Sequence, residues 1–150
     1  MLVVLQIVTE ASVELEGKTI SQIGKGYCLL VGFAEGDDES VAKKMAEKIA
    51  KLRIFPDENG KTNLSLSSVN GEILSVSQFT LNASVKEGNR PSFVFCMKQE
   101  EAAKLYEVFL THLRTLVSNV ASNVFHTDCR IHLVNDGPFT LILDSKELFK

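Results

Sequence analysis

A chain of 150 residues fits one domain over 1–150, able to bury about 70% of its unfolded surface in one core without disulfide or metal staples. With 45% hydrophobic residues and no internal repeat, the composition excludes a disordered chain and a solenoid or propeller array. A net charge of −3 excludes strong attraction of the whole molecule to polyanions, so RNA contact would rest on a few local basic residues.

The longest apolar run, Tyr27–Phe33, is far shorter than the roughly 20 residues of a membrane span. The opening MLVVLQIVTEASVEL has neither a basic leader nor a cleavage-like region. A cytoplasmic protein with no membrane partner is expected.

In chain order, Leu2–Leu15 alternates apolar and polar residues through Leu5, Ile7, Val13 and Leu15, and Glu16-Gly17-Lys18 offers a reversal into Thr19–Ile23. A strand and hairpin are predicted. YCLLVGF at 27–33 is a continuous apolar run, which places a strand covered on both faces at the sheet centre. Asp37 and Asp38 are N-cap candidates, and Val41, Met45, Ile49 and Leu52 then predict an amphipathic helix over 39–53. Its lysines, Lys43, Lys44, Lys48 and Lys51, fall mostly on the solvated face.

Pro56, Asn59-Gly60 and Asn70-Gly71 mark turns, and Glu72–Leu81 reads as a strand. A short strand is predicted over Ser92–Met97. A second helix follows over Gln99–Leu116, with Ala102, Leu105, Tyr106, Phe109, Leu113 and Leu116 on one side and His112 bordering that stripe. Strands near 130–135 and 139–144 close the chain. Strands before, between and after two long amphipathic helices give an α/β protein, a mixed β-sheet with the helices packed on it.

Cys28, Cys96 and Cys129 are odd in number, widely spaced and in or beside predicted strands, so they read as reduced, buried packing residues. No Cys-x-x-Cys or His/Cys cluster suggests a metal, and His126 and His132 have no ligand-like company.

Two strings carry chemistry. In SQFTL at 77–81, period two puts Gln78 and Thr80 on one face, where an amide, a hydroxyl and backbone N–H groups freed at the strand end could surround an ester oxyanion. In NDGPFT at 135–140, the Gly137-Pro138 bond can adopt cis at a cost of only about 0.5–1 kcal/mol. Each string alone also fits an ordinary strand end or an ordinary turn.

Together, and in order with ASVELEG at 11–17, LRIFPDENGKTNLSL at 52–66, NRPSF at 89–93 and LVNDGPFT at 133–140, these strings resemble the D-aminoacyl-tRNA deacylase (D-tyrosyl-tRNA deacylase) family over nearly the whole chain. The resemblance implies a barrel-like, hairpin-rich sheet and an enzyme that hydrolyses the ester of D-aminoacyl-tRNA to free amino acid and tRNA. It implies no metal or organic cofactor. It also implies a homodimer with shared active sites, in which Gly137 and Pro138 of one subunit enter the site of the other as a cis turn and reject L substrates.

Ser77, Gln78, Phe79 and Thr80 are the implied catalytic residues. The Gln78 amide and the N–H groups around Phe79 and Thr80 would serve the oxyanion, while the 2′-hydroxyl of the terminal adenosine activates water. Since glycine has no side chain to reject, glycyl-tRNA(Ala) is an implied second substrate. Arg90, Lys86 and Phe139 are candidate contacts for the 3′ acceptor end of the tRNA. SNVFHTDC at 122–129 departs from the glycine-rich pattern of the family, and no role is carried over to Phe125 or His126.

Two other functions compete. A small-ester hydrolase with a Ser or Thr nucleophile could use His132 and Asp128, but no Gly-x-Ser-x-Gly elbow is present. A non-catalytic nucleic-acid-binding module is disfavoured by the acidic charge and the lack of an aromatic-plus-basic stripe.

Overall fold

The structure, a computed structural model, describes residues 1–150. Its elements are β1 (Leu2–Leu15), β2 (Lys18–Ile23), β3 (Gly26–Gly32), α1 (Glu39–Lys51), β4 (Arg53–Pro56), β5 (Thr62–Ser65), β6 (Glu72–Ser77), α2 (Gln99–Leu116), β7 (Val120–Ser122), β8 (Arg130–Asp144) and α3 (Ser145–Leu148). Short 3-10 turns occupy Ser67–Val69 and Phe79–Asn82.

The main sheet runs β2-β1-β3-β6-β7, with β8 along the other edge of β1. β1 is long enough to serve two partners on one edge: Leu2–Val8 pair with β3 and Ala11–Leu15 with β2. Leu15 pairs with Lys18, so Glu16 and Gly17 form a two-residue loop with φ of 50° and 77°, the left-handed pair that matches the twist of a hairpin. β3–β6 and β6–β7 are parallel, as the helical crossovers between them require. Ser21 Oγ on β2 donates to the Ser122 carbonyl on β7 at 2.6 Å, which draws the ends of the strand order toward each other into a near-barrel.

Period-two alternation builds two cores. Tyr27, Leu29 and Val31 of β3 and Ile73 of β6 face the core that α1 and α2 cover. Cys28, Leu74 and Val76 face the opposite way, toward Val8, Ala11, Val13 and Ile23 inside the curved sheet. α1 is capped by Asp38, whose Oδ1 accepts from Val41 N at 2.9 Å. Asp37 instead ion-pairs with the buried Met1 ammonium at 2.6 Å and accepts from Ala34 N at 2.7 Å. The lysines of α1 are exposed, and Lys43 and Lys51 pair with Glu39 and Glu47 one turn earlier. His112 bridges α2 to α1 through Glu47 Oε1 at 3.2 Å. No helix is long and apolar enough to cross a membrane.

Several expectations are corrected. β6 stops at Ser77 rather than Leu81, because Gln78 N–H makes the last bond to β3, at 2.7 Å to the Val31 carbonyl, and β3 itself ends at Gly32. With no neighbour left, residues 79–82 wind into a 3-10 turn. Ser92–Met97 is not a strand: only the isolated bridges Ser84↔Ser92 and Ala34↔Cys96 hold it, and Phe93, Val94 and Phe95 stay exposed. The two closing strands are one, β8, interrupted by an excursion. On α2, Leu110 is buried and Leu116 exposed, the reverse of the predicted stripe at that end. Of the cysteines only Cys28 is buried; Cys96 and Cys129 are intermediate, and all three are free.

Candidate active site

The carboxyl ends of the parallel strands β3, β6 and β7 open onto one cavity of about 470 Å³, the place where parallel sheets commonly bind ligands. Val31 and Phe33 come from the end of β3, Val76, Ser77, Gln78 and Phe79 from the end of β6, and Asn123 and Phe125–Cys129 from the segment after β7. Phe79 packs on Phe93 with ring centroids 5.4 Å apart, and His126 lies 6.2 Å from Phe79 and 6.3 Å from Phe125. The result is an aromatic rim suited to a flat or apolar group. His126 holds φ of 58°, a left-handed conformation unusual outside glycine, in the very segment whose sequence departs from a glycine-rich pattern.

Beneath the rim, buried Asn123 ties the end of β6 in place. Its Oδ1 accepts from Ser77 N at 3.1 Å and from the Tyr106 hydroxyl at 3.3 Å, and its Nδ2 reaches Ser77 Oγ at 3.2 Å. Ser75 Oγ lies 3.0 Å from the same Tyr106 hydroxyl. Burial pushes the Tyr106 hydroxyl above its ordinary titration range, so it stays protonated.

Gln78 Nε2 donates to Thr80 Oγ1 at 2.6 Å. Gln78 N–H is spent on Val31, whereas the N–H groups of Phe79 and Thr80, opening the 3-10 turn, have no partner within the chain. The cavity thiols are poor nucleophiles: burial raises Cys96, and burial followed by the Asp128 charge raises Cys129. No group of three or more His, Cys, Asp and Glu side chains is arranged to hold a metal ion.

Ser77, Gln78 and Phe79 therefore line one cavity, and Thr80 sits just outside it. Lys86 lines a separate groove of about 690 Å³ together with residues 81–85 and Lys146. Arg90 is exposed in the loop before α2, and the Phe139 ring is half-buried against the main core. His132 on β8 pairs with Glu14 of β1 at 2.9 Å, faces Ser12 across the β1–β8 ladder and does not line the cavity, whereas Asp128 does. Asn123, Tyr106, Phe125 and His126 were not among the residues picked from the sequence. Asn123, Phe125 and His126 lie in the 122–129 segment that departs from a glycine-rich pattern, whereas Tyr106 was read only as part of the apolar stripe of α2.

Gly137 and Pro138 are joined by a cis peptide bond, and neither lines the cavity of its own chain. β8 pairs Asn135 with Val8 and Thr140 with Gln6, so residues 136–139 bulge out opposite Ile7 alone. Gly137 and Pro138 are exposed at the tip of this excursion.

Comparison with known proteins places this architecture. The profile of the D-Tyr-tRNA(Tyr) deacylase family matches residues 4–144. The chain belongs to this family. A D-aminoacyl-tRNA deacylase of Lactobacillus acidophilus is 56% identical over 96% of this chain and 99% of its own length. One from Caldicellulosiruptor saccharolyticus is 43% identical over 99% and 100%. Among solved structures, the c-Myc DNA unwinding element binding protein superposes with a TM-score of 0.91 at 40% identity, covering 96% of this chain and 98% of that one. A probable eukaryotic D-amino acid tRNA deacylase shares the fold with a TM-score of 0.83 at 17% identity, over 95% and 97%. As in that deacylase fold, the mixed sheet here is nearly closed and its helices pack on one face.

Proposed function

We propose that the protein is a D-aminoacyl-tRNA deacylase, an editing hydrolase that cleaves the ester between a D-amino acid and the terminal adenosine of tRNA. The observation that carries this reading is the placement of the Ser77–Thr80 segment, matched within the family profile, at the mouth of an aromatic-rimmed cavity with unpartnered N–H groups. Phe79 and Thr80 N–H, with the Gln78 amide, take the oxyanion as the ester carbonyl is attacked. The attacking water is activated by the substrate's own 2′-hydroxyl, as the family resemblance implies, and no histidine is hydrogen-bonded to Ser77 or Thr80 to serve as a base for either.

Chirality is read by a second copy of the chain. Gly137 and Pro138 project from one subunit into the cavity of the other, grip the α-amino group, and leave no room for an L side chain. Exposed Phe79, Phe93, Val134 and Ile142 supply apolar surface for such a dimer. A site that selects by exclusion also admits glycine, so glycyl-tRNA(Ala) is a second substrate. Lys86 and Arg90 contact phosphates of the acceptor end.

The decisive experiment follows ester loss from tRNA charged with D-tyrosine or L-tyrosine. Loss of the D ester alone is expected. Loss of both, or of small model esters, points to an unselective esterase. Binding without turnover points to a nucleic-acid-binding module, a reading favoured only by the DNA-binding name of one structural neighbour.

A further inference from the structure

The hydrogen bonds beneath the cavity admit only one arrangement of protons. A backbone N–H can only donate, so the Asn123 atom 3.1 Å from Ser77 N is the carbonyl oxygen. The other end of the amide, which can only donate, then faces Ser77 Oγ at 3.2 Å. Asn123 Oδ1 takes the Tyr106 hydroxyl proton at 3.3 Å, and Tyr106, its proton spent, accepts from Ser75 Oγ at 3.0 Å. The protons run one way, from Ser75 to Tyr106 to Asn123 to Ser77. Ser77 Oγ receives a bond from below and keeps its own proton free at the cavity.

We propose that Ser75, Tyr106 and Asn123 form a directional relay that presents the Ser77 hydroxyl to the cavity as a hydrogen-bond donor for an acceptor oxygen of the bound ester. Tyr106 and Asn123 are positioning residues, acting through Ser77. The assignment rests on the proposed aminoacyl-ester substrate, whose carbonyl and ribose oxygens are acceptors. It also removes Ser77 as a nucleophile: Asn123 offers it an N–H instead of a base, so nothing is placed to take its proton.

The fold explains why a side chain does this work. The β6–β7 ladder ends at Ser75↔Ser122, and Asn123 N still reaches the Ser75 carbonyl at 3.2 Å. One step further the Asn123 carboxamide stands in for the peptide group of a neighbouring strand against Ser77. The chain after β7 can then diverge, and the gap it leaves is the cavity. Ser75, Tyr106 and Asn123 are 0%, 1% and 8% exposed, so no solvent competes with the relay.

A double-mutant cycle read in kcat tests the relay. Ser77→Ala, Tyr106→Phe and the double variant are assayed on D-tyrosyl-tRNA under single-turnover and saturating conditions, with melting temperatures measured alongside. Ser77→Ala is expected to lower kcat about tenfold and Tyr106→Phe about threefold or more, with KM held within about twofold. The double variant is expected to be no slower than Ser77→Ala, because Tyr106 has nothing left to position. Losses that multiply in the double variant, or parental kcat in either single variant, overturn the proposal. If Tyr106→Phe does not fold, Ser75→Ala takes its place in the same cycle. A parent protein that leaves the D ester intact fails the functional reading itself, and does so before any variant is compared.

Discussion

The carboxamide of Asn135 donates to the Phe139 carbonyl at 3.0 Å and so closes the excursion that carries Gly137 and Pro138. The same Nδ2 reaches the Ile7 carbonyl at 3.1 Å, anchoring the loop to β1. Asn135→Ala deletes both bonds, at about 1 kcal/mol each. If this excursion reads chirality in a partner's cavity, loosening it lowers kcat/KM for the D ester by roughly tenfold or more and narrows the gap to the L ester. Parallel assays with D-tyrosyl- and L-tyrosyl-tRNA measure both.

Thr80 Oγ1 accepts from Gln78 Nε2 at 2.6 Å, and in the proposed mechanism it supports the glutamine rather than attacking the ester. Thr80→Ala is expected to retain activity within about tenfold of the parent. A nucleophile's removal would cost on the order of 10⁴-fold or more, so single-turnover hydrolysis separates the two roles.

Gly32 is needed because the backbone behind Gln78 passes too close for a side chain. A Cβ at this position would stand 2.7 Å from the Gln78 carbonyl oxygen and 2.9 Å from Asn82 Nδ2. Gly32→Ala therefore displaces the segment that carries Gln78 and Phe79. We expect destabilisation of about 1–3 kcal/mol together with a fall in kcat larger than stability accounts for at a temperature where the variant is fully folded. Denaturant titration and kcat on the same preparation check it.

Burial pushes the Cys28 thiol from its ordinary 9.0 up to about 11. A raised value means that the folded state favours the protonated thiol, so this contribution is whole below pH 9 and is lost as pH climbs toward 11. The loss reaches about 2–3 kcal/mol at the upper end. Tyr27 and Tyr106, also raised by burial, add to the alkaline decline, so the comparison that isolates Cys28 is between the parent and Cys28→Ala. The variant should show a shallower fall in unfolding free energy over this range.

Much of the architecture was legible as local pattern. α2 spans the predicted Gln99–Leu116, and β1 and β3 lie where alternation and the apolar run placed them. Strand β7 and the β4–β5 hairpin were missed because three- and four-residue strands hold too few alternations to show a period. The strand expected through Leu81 failed for a different reason: period two continued in the residue types after the partner strand had ended.

The sequence by itself determined the two strings, Ser77–Leu81 and Asn135–Thr140, and the periodicities that bury one face of each helix, because these depend on neighbours a few residues apart. Only the tertiary structure decided that Ser75 and Ser77 of β6 meet Tyr106 from α2 and Asn123 from beyond β7, and that Gly137 and Pro138 stand outside the cavity of their own chain. Those outcomes follow from which strand runs beside which and where each ladder ends. Pairing of segments tens of residues apart leaves no local trace in the order of side chains along the chain.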